Sequence, residues 1–256
     1  MNWLTSFLQS SIGRKLLMAL TGLFLCAFLL VHLIGNLQLF KHDHGLAFNT
    51  YAVFMTSNPF IKFTSYGLYA TIIFHAFWGL YLVYLNKKAR PQTYAMVDGK
   101  ANSSWASRSM GLLGTIILAF IVTHMADFWA EYKFGEVPYV QYQQDLNTLD
   151  VTCVPTDAID SKMIQFTSNN VEYTIVKDLN KEVVEAFKEW WLVVLYVVAM
   201  IAISFHLVHG FKSAFQTMGF NHSKYNGLIR FIGIYVFGII VPILFAAMPI
   251  YFYLNA

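Results

Sequence analysis

The chain alternates between long apolar segments and polar connections. Each apolar segment exceeds the ~20 residues that an α-helix needs to cross a bilayer core of ~30 Å. Tyr and Trp residues cluster at the segment ends, as is typical of side chains at a membrane interface. The pattern predicts five transmembrane helices, at about Lys15–Phe40, Phe60–Leu85, Met110–Ala130, Trp190–Phe215 and Gly227–Leu254.

One long polar stretch, residues 131–185, separates the third and fourth segments. Within it, QFTSNNVEYTIV predicts a small β-hairpin with Ser168, Asn169 and Asn170 at the turn. Residues Lys181–Glu189 predict an amphipathic helix that leads into the fourth span. We interpret the remainder as a solvated cap over the helix ends.

Composition agrees with a membrane protein, since 57% of residues are hydrophobic and only 12% are charged. The first span is too long for a signal peptide and has no small-residue cleavage site, so we predict that it is retained. The two cysteines, Cys26 and Cys153, lie far apart, and no CxxC or CxxCH motif occurs. This argues against a disulfide, an iron–sulfur cluster or covalently attached haem.

The distribution of positive charge predicts the orientation. Basic residues flank the first span and fill the connection between the second and third spans, as Arg14, Lys15, Lys87, Lys88, Arg90, Lys100 and Arg108 show. The insertion between Glu131 and Glu185 instead carries ten acids against four lysines. We therefore expect a cytoplasmic N-terminus, an external insertion and an external C-terminus.

Each of the first four spans carries histidine within its apolar region, and a buried ionisable group in a span is costly enough to indicate function. At 1.5 Å per residue, His32 and His124 lie roughly 25 and 22 Å along spans that run outward. His75 and His206 lie ~18 Å from the cytoplasmic ends of their spans. The depths predict an outer pair and an inner pair.

Two pairs of imidazoles in a helical bundle predict two bis-histidine haems, because neutral imidazole is a good iron ligand. A zinc site would need three or four ligands at one depth. Glycines near the histidines, Gly79, Gly210, Gly114 and Gly22, would let a flat macrocycle approach the backbone. His206 shares the His-x-x-x-Gly spacing of His75, so we assign it as the ligand and expect His209 to donate a hydrogen bond near the haem.

These motifs resemble the cytochrome b membrane anchor of succinate:quinone oxidoreductases, of the single-chain, five-helix, dihaem type. The similarity covers the five spans. It rests on TGLFLCAFLLVH in the first, FHAFWGLY in the second, Gly114 ten residues before His124 in the third, and His206, Gly210 and Gly219 in the fourth.

The resemblance implies an all-α membrane protein, one cytochrome domain over residues 1–256, in the bacterial cytoplasmic membrane. It implies that His32 and His124 ligate the distal haem b and that His75 and His206 ligate the proximal haem b. It also implies a flavoprotein partner and an iron–sulfur partner, with electrons passing to a membrane quinone for which we expect menaquinone. The chain alone should have no dehydrogenase activity, and no nucleic-acid partner is expected.

Some positions depart from the family pattern. Met18 and Ala19 stand where the fumarate-reductase version has Gln-Ser, so propionate binding must use other groups, for which Ser11, Arg14 and Lys15 are candidates. No glutamate is embedded in the second span. Near the outer pair, the quinone candidates are Asp127, His42 and His44.

Three other functions are compatible with the sequence. The anchor could serve a fumarate reductase that works in the reverse direction, or it could belong to another membrane oxidoreductase, whose histidines would be distributed differently. Outside redox chemistry, the histidines could form a proton relay in a transporter. Such a transporter would be colourless when purified.

Overall fold

The structure, a computed structural model, describes residues 2–90, 92 and 103–255. Lys100 and Asp98 of the predicted cytoplasmic connection lie outside the described residues. Among the described residues, five helices are long and apolar enough to cross a membrane, which confirms the five predicted spans. They run over Ser11–Phe40, Pro59–Lys88, Met110–Phe134, Trp190–Thr217 and Ser223–Leu254.

Several spans are interrupted locally. The first ends in a 3₁₀ turn at Leu37–Phe40, the third contains a π-helix at Met125–Ala130, and the fifth contains a π-helix at Ile232–Ile240. Shorter helices lie outside the long apolar runs or at their ends, at Trp3–Gln9, Leu46–Ser57, Trp105–Arg108, Glu131–Phe134, Leu179–Ala186 and Ser223–Phe231.

The insertion forms an antiparallel sheet of four strands, which corrects the expectation of an all-α protein with a single small hairpin. The strands β1 to β4 are Tyr139–Asp145, Val151–Thr156, Met163–Ser168 and Val171–Lys177, in the spatial order β2-β1-β4-β3. The predicted hairpin is β3–β4. Asn169 and Asn170 connect it at φ 49° and 64°, the left-handed conformation that a two-residue hairpin loop needs.

The chain divides into two compact units. The first unit contains residues 1–30, 66–120 and 197–246. In it the fourth and fifth spans pack closely, because a Cβ at Gly233 would lie 3.1 Å from Phe211 and a Cβ at Gly238 would collide with Val208. Small residues allow such close approach of helix backbones in membranes. The hydroxyl of Ser204 donates a hydrogen bond to the carbonyl of Gly238 within the π-helix.

The second unit contains residues 31–65, 121–196 and 247–256. Its core lies between the sheet and the Leu46–Ser57 helix, where Val53 packs with Val140, Tyr142 and Val176. The inward residues of β1 alternate with more exposed ones, as expected for a strand with one buried face. The Leu179–Ala186 helix follows β4, and the side chain of Asp178 caps it. This helix corresponds to the lead-in helix that was predicted at Lys181–Glu189.

Candidate functional site: two histidine pairs

The structure brings together the histidines that were paired by depth. In the first unit, the ring centroids of His75 and His206 lie 6.4 Å apart, with planes at 67°. In the second unit, the ring centroids of His32 and His124 lie 5.7 Å apart, with planes at 85°. Each compact unit therefore holds one pair from two different spans.

A threonine orients His75. The Thr21 hydroxyl lies 2.9 Å from Nδ1 of His75 and donates its own hydrogen to the carbonyl of Leu17 at 2.7 Å. Because that single hydrogen is already used, Thr21 accepts the bond from an Nδ1–H of His75. This tautomer leaves the Nε2 lone pair of His75 available as a ligand.

In His206, the partner of His75, Nδ1 is buried and has no hydrogen-bond partner among the described residues. His206, and not His209, makes the ring contact with His75. The half-buried His209 lies three residues further along the same helix. The sequence preference for His206 as the inner partner of His75 thus agrees with the packing.

A tyrosine that the sequence did not single out orients the outer pair. The Tyr196 hydroxyl lies 2.9 Å from Nδ1 of His124. Tyr196 is buried, and its ring packs edge-on against Phe187 at 5.0 Å between centroids. With Nε2 of His124 as a ligand, Nδ1–H would donate to this hydroxyl. Asn36 lies beside His32 and donates to its carbonyl at 2.7 Å.

Glycines leave space at the rings. A Cβ at Gly22 would lie 3.4 Å from Cε1 of His75, and a Cβ at Gly114 would lie 3.8 Å from Cε1 of His206. The two glycines expected beside the inner ligands differ: Gly79 faces the Met18 side chain, and a Cβ at Gly210 would meet nothing within 4 Å. Gly22 and Gly114 are therefore the glycines that border the imidazoles.

The spacing of the two rings in each pair suits two imidazoles that would hold one metal. An imidazole nitrogen binds a first-row metal at about 2.0–2.1 Å, so two collinear rings would have centroids about 6.3 Å apart. The observed distances of 6.4 and 5.7 Å lie close to this value. Among the described residues, no group of three or more His, Cys, Asp or Glu side chains is arranged to hold a metal ion. A metal between these rings would need its other ligands from a macrocycle, as haem provides.

The quinone candidates occupy different settings. Asp127 lies in the π-helix directly after His124, and its Oδ2 is buried without a hydrogen-bond partner among the described residues. It does not lie at a helix end, since the span continues to Phe134. His42 and His44 are exposed, and Asp43 between them accepts hydrogen bonds from the backbone N–H groups of Gly45 and Ala47.

Of the propionate candidates, Arg14 helps to line a groove of ≈ 730 Å³ in the first unit, together with Trp78. The Trp78 indole donates to the carbonyl of Arg14 at 3.4 Å. Successive residues of an α-helix are rotated by about 100° around its axis. The residues of the second span that line this groove therefore lie mostly on a different side of the helix from His75. Ser11 and Lys15 are exposed.

No family model, curated protein or solved structure matches this chain.

Proposed function

We propose that the chain is a dihaem cytochrome b, the membrane anchor of a succinate dehydrogenase, which passes electrons between a cytoplasmic iron–sulfur subunit and membrane menaquinone. The observation that carries the proposal is the repeated pair of histidines at metal-ligand spacing, His75 with His206 and His32 with His124. The iron–sulfur partner, the quinone and the direction of electron transfer rest on the family resemblance and not on this geometry.

The side chains have distinct roles in this function. His75 and His206 would hold one haem b through Nε2, and His32 and His124 would hold the other. Thr21 and Tyr196 would accept a hydrogen bond from the Nδ1–H of His75 and His124, which fixes the ring orientation and makes the ligand nitrogen more electron-rich. When bound, bis-histidine haem supplies a one-electron Fe(III)/Fe(II) couple.

Asp127 is the residue best placed to take part in quinone chemistry in the second unit. Reduction of a quinone consumes protons, and a partly buried carboxyl whose Oδ2 has no hydrogen-bond partner among the described residues is suited to transfer one. The exposed His42 and His44 are less suited, because solvent already hydrates them.

The direct test is the haem content of the purified chain, measured as pyridine haemochrome per polypeptide together with a reduced-minus-oxidised spectrum. We expect about two low-spin haems b, one for each histidine pair. A colourless protein from haem-competent cells would overturn the proposal and favour the proton-relay transporter. If the haems are present, co-purification with flavoprotein and iron–sulfur subunits would distinguish a succinate:quinone oxidoreductase from other enzymes.

The choice between neighbouring histidines in the fourth span gives a first prediction. His209→Ala should keep about two haems per polypeptide, because His206 is the residue whose ring contacts His75. His206→Ala should keep about one. Pyridine haemochrome assays on both variants show which of the two histidines haem binding requires. The reverse result would assign His209 as the axial ligand.

A second prediction concerns the residues that orient the ligands. Thr21→Val removes the acceptor of the His75 hydrogen bond, and loss of such a partner typically weakens metal binding about 10–100-fold. We expect faster loss of one haem to apomyoglobin and a higher midpoint potential of that haem, because a less electron-rich imidazole stabilises Fe(III) less.

The control for this variant is Thr115→Val, in the third span, whose hydroxyl bonds only to the backbone carbonyl of Gly111 within the described residues. It should leave haem transfer and both potentials unchanged. Equal behaviour of Thr21→Val and Thr115→Val would remove Thr21 from the proposed haem site.

A further inference from the structure

Lysines from separate elements gather around one tyrosine in the second unit. Nζ of Lys133 lies 5.7 Å from the ring centroid of Tyr132, and Nζ of Lys177 lies 5.5 Å from it. Nζ of Lys162 donates to the carbonyl of Thr56 at 2.6 Å, and the Thr56 hydroxyl lies 3.1 Å from the Tyr132 hydroxyl. These contacts bring the end of β4, the loop before β3 and the end of the third span to one place.

A fourth lysine belongs to the same cluster. Partial burial lowers the pKa of Lys162, and the charges of Lys133 and Lys62 lower it further. Lys62 therefore also lies near Lys162. We call Lys62, Lys133, Lys162 and Lys177 the lysine cluster.

None of the four lysines forms an ion pair with another residue of the part of the chain that the structure describes. This is unexpected in an insertion with ten acids against four lysines. Ammonium groups that repel one another at short range are stabilised by an anion bound between them.

The cluster also borders exposed apolar side chains at the ends of two spans. Lys62 lies near the start of the second span and Lys133 near the end of the third. The adjacent Phe63 and Phe134 are 77% and 80% exposed. Ammonium groups at headgroup level beside exposed aromatic rings suit an amphiphile better than a soluble anion.

We propose that the lysine cluster binds the headgroup phosphate of an anionic phospholipid in the leaflet next to the sheet. Lysine binds phosphate as a point charge, and Phe63 and Phe134 contact the first part of the acyl chains. The lipid holds the sheet of the insertion against the ends of the second and third spans. This inference does not depend on haem binding.

The test uses the full chain, or its complex, in detergent with added phosphatidylglycerol or phosphatidylcholine, and native mass spectrometry to count retained lipids. We expect preferential retention of phosphatidylglycerol. The variant K62Q/K133Q/K162Q/K177Q should lose that preference by at least about tenfold, since each surface lysine contributes to binding anionic lipid. The corresponding Lys→Arg variant should retain it.

The matched control is K41Q/K87Q/K181Q/K224Q, which removes the same charge from lysines outside the cluster and should keep the preference. An equal loss in this control would show unspecific attraction and overturn the proposal. Displacement of the lipid by millimolar inorganic phosphate would also overturn it, because the site would then be one for a soluble anion. If the fourfold Gln variant fails to fold, K133Q/K177Q carries the test, and an unchanged preference there contradicts the proposal.

Discussion

Replacing His124 by alanine is expected to remove one haem and leave the other, so that the content falls from about two to about one per polypeptide. His32→Ala should give the same spectrum as His124→Ala, because the two rings form one pair with centroids 5.7 Å apart. His75→Ala and His206→Ala should remove the other haem, since their rings form the second pair. A haem that lost one of its two histidines would be held more weakly by the chain.

Double variants test more stringently which histidines share a haem. A double replacement within one pair should lose no more haem than either single replacement, whereas a double replacement across pairs, such as His75→Ala with His124→Ala, should leave about none. Redox-difference spectra and haemochrome assays provide the measurement. Any other pairing, for example a shared loss between His32 and His75, would contradict the two-pair site while leaving haem binding itself intact.

Replacing Asn49 is expected to destabilise the insertion strongly. Asn49 is fully buried, and its amide donates to the Tyr142 hydroxyl at 2.8 Å and to Oδ1 of Asp178 at 3.1 Å. Its carbonyl oxygen accepts from the backbone N–H of Asn180 at 3.0 Å. Tyr142 in turn donates to the carbonyl of His44 at 3.1 Å, so the network has its donors and acceptors matched.

Asn49→Leu removes three hydrogen bonds, worth about 0.5–1.5 kcal/mol each, and leaves the backbone N–H of Asn180 without its partner, which costs about 1–3 kcal/mol more. Tyr142 and Asp178 keep their bonds to His44 and Lys181. We expect the free energy of opening of the β1 and β4 amides to fall by about 3 kcal/mol, measured by hydrogen exchange in detergent. Burial raises the pKa of the Tyr142 phenol, so its hydroxyl stays protonated through neutral pH and the loss should not depend on pH there.

Tyr142→Phe isolates one member of this network and should cost about 1–2 kcal/mol. The matched control is Tyr173→Phe on β4, because the Tyr173 ring stacks on Phe166 and its hydroxyl makes no hydrogen bond with a described residue. This control should change stability by less than about 0.5 kcal/mol. Equal costs for the two tyrosine variants would show that the hydroxyl network does not stabilise the insertion.

The sheet illustrates what sequence patterns miss. The β3–β4 hairpin was predictable, because Asn169 and Asn170 are turn residues between two apolar segments. The inward positions Val140 and Tyr142 of β1 alternate with glutamines, which is a signal that could have identified this strand. The β2 strand carried a weaker signal, since it is exposed and contains Pro155, which is tolerated only at the edge of a sheet.

The Leu46–Ser57 helix was missed for a different reason. It follows the first span closely, and its side chains pack on the sheet rather than forming a long apolar run. Asp43, just before this helix, accepts hydrogen bonds from the backbone N–H groups of Gly45 and Ala47 at its start. This local capping role accounts for an acidic residue at this position without a bound ligand.

The sequence by itself determined the five apolar spans and predicted a depth for each histidine. A membrane helix satisfies its own backbone hydrogen bonds, and the rise per residue converts sequence position into depth. Only the tertiary structure decided which helix faces meet, because that depends on packing between residues far apart in the chain. It alone brought Thr21 to His75, Tyr196 to His124, and Lys177 to Tyr132.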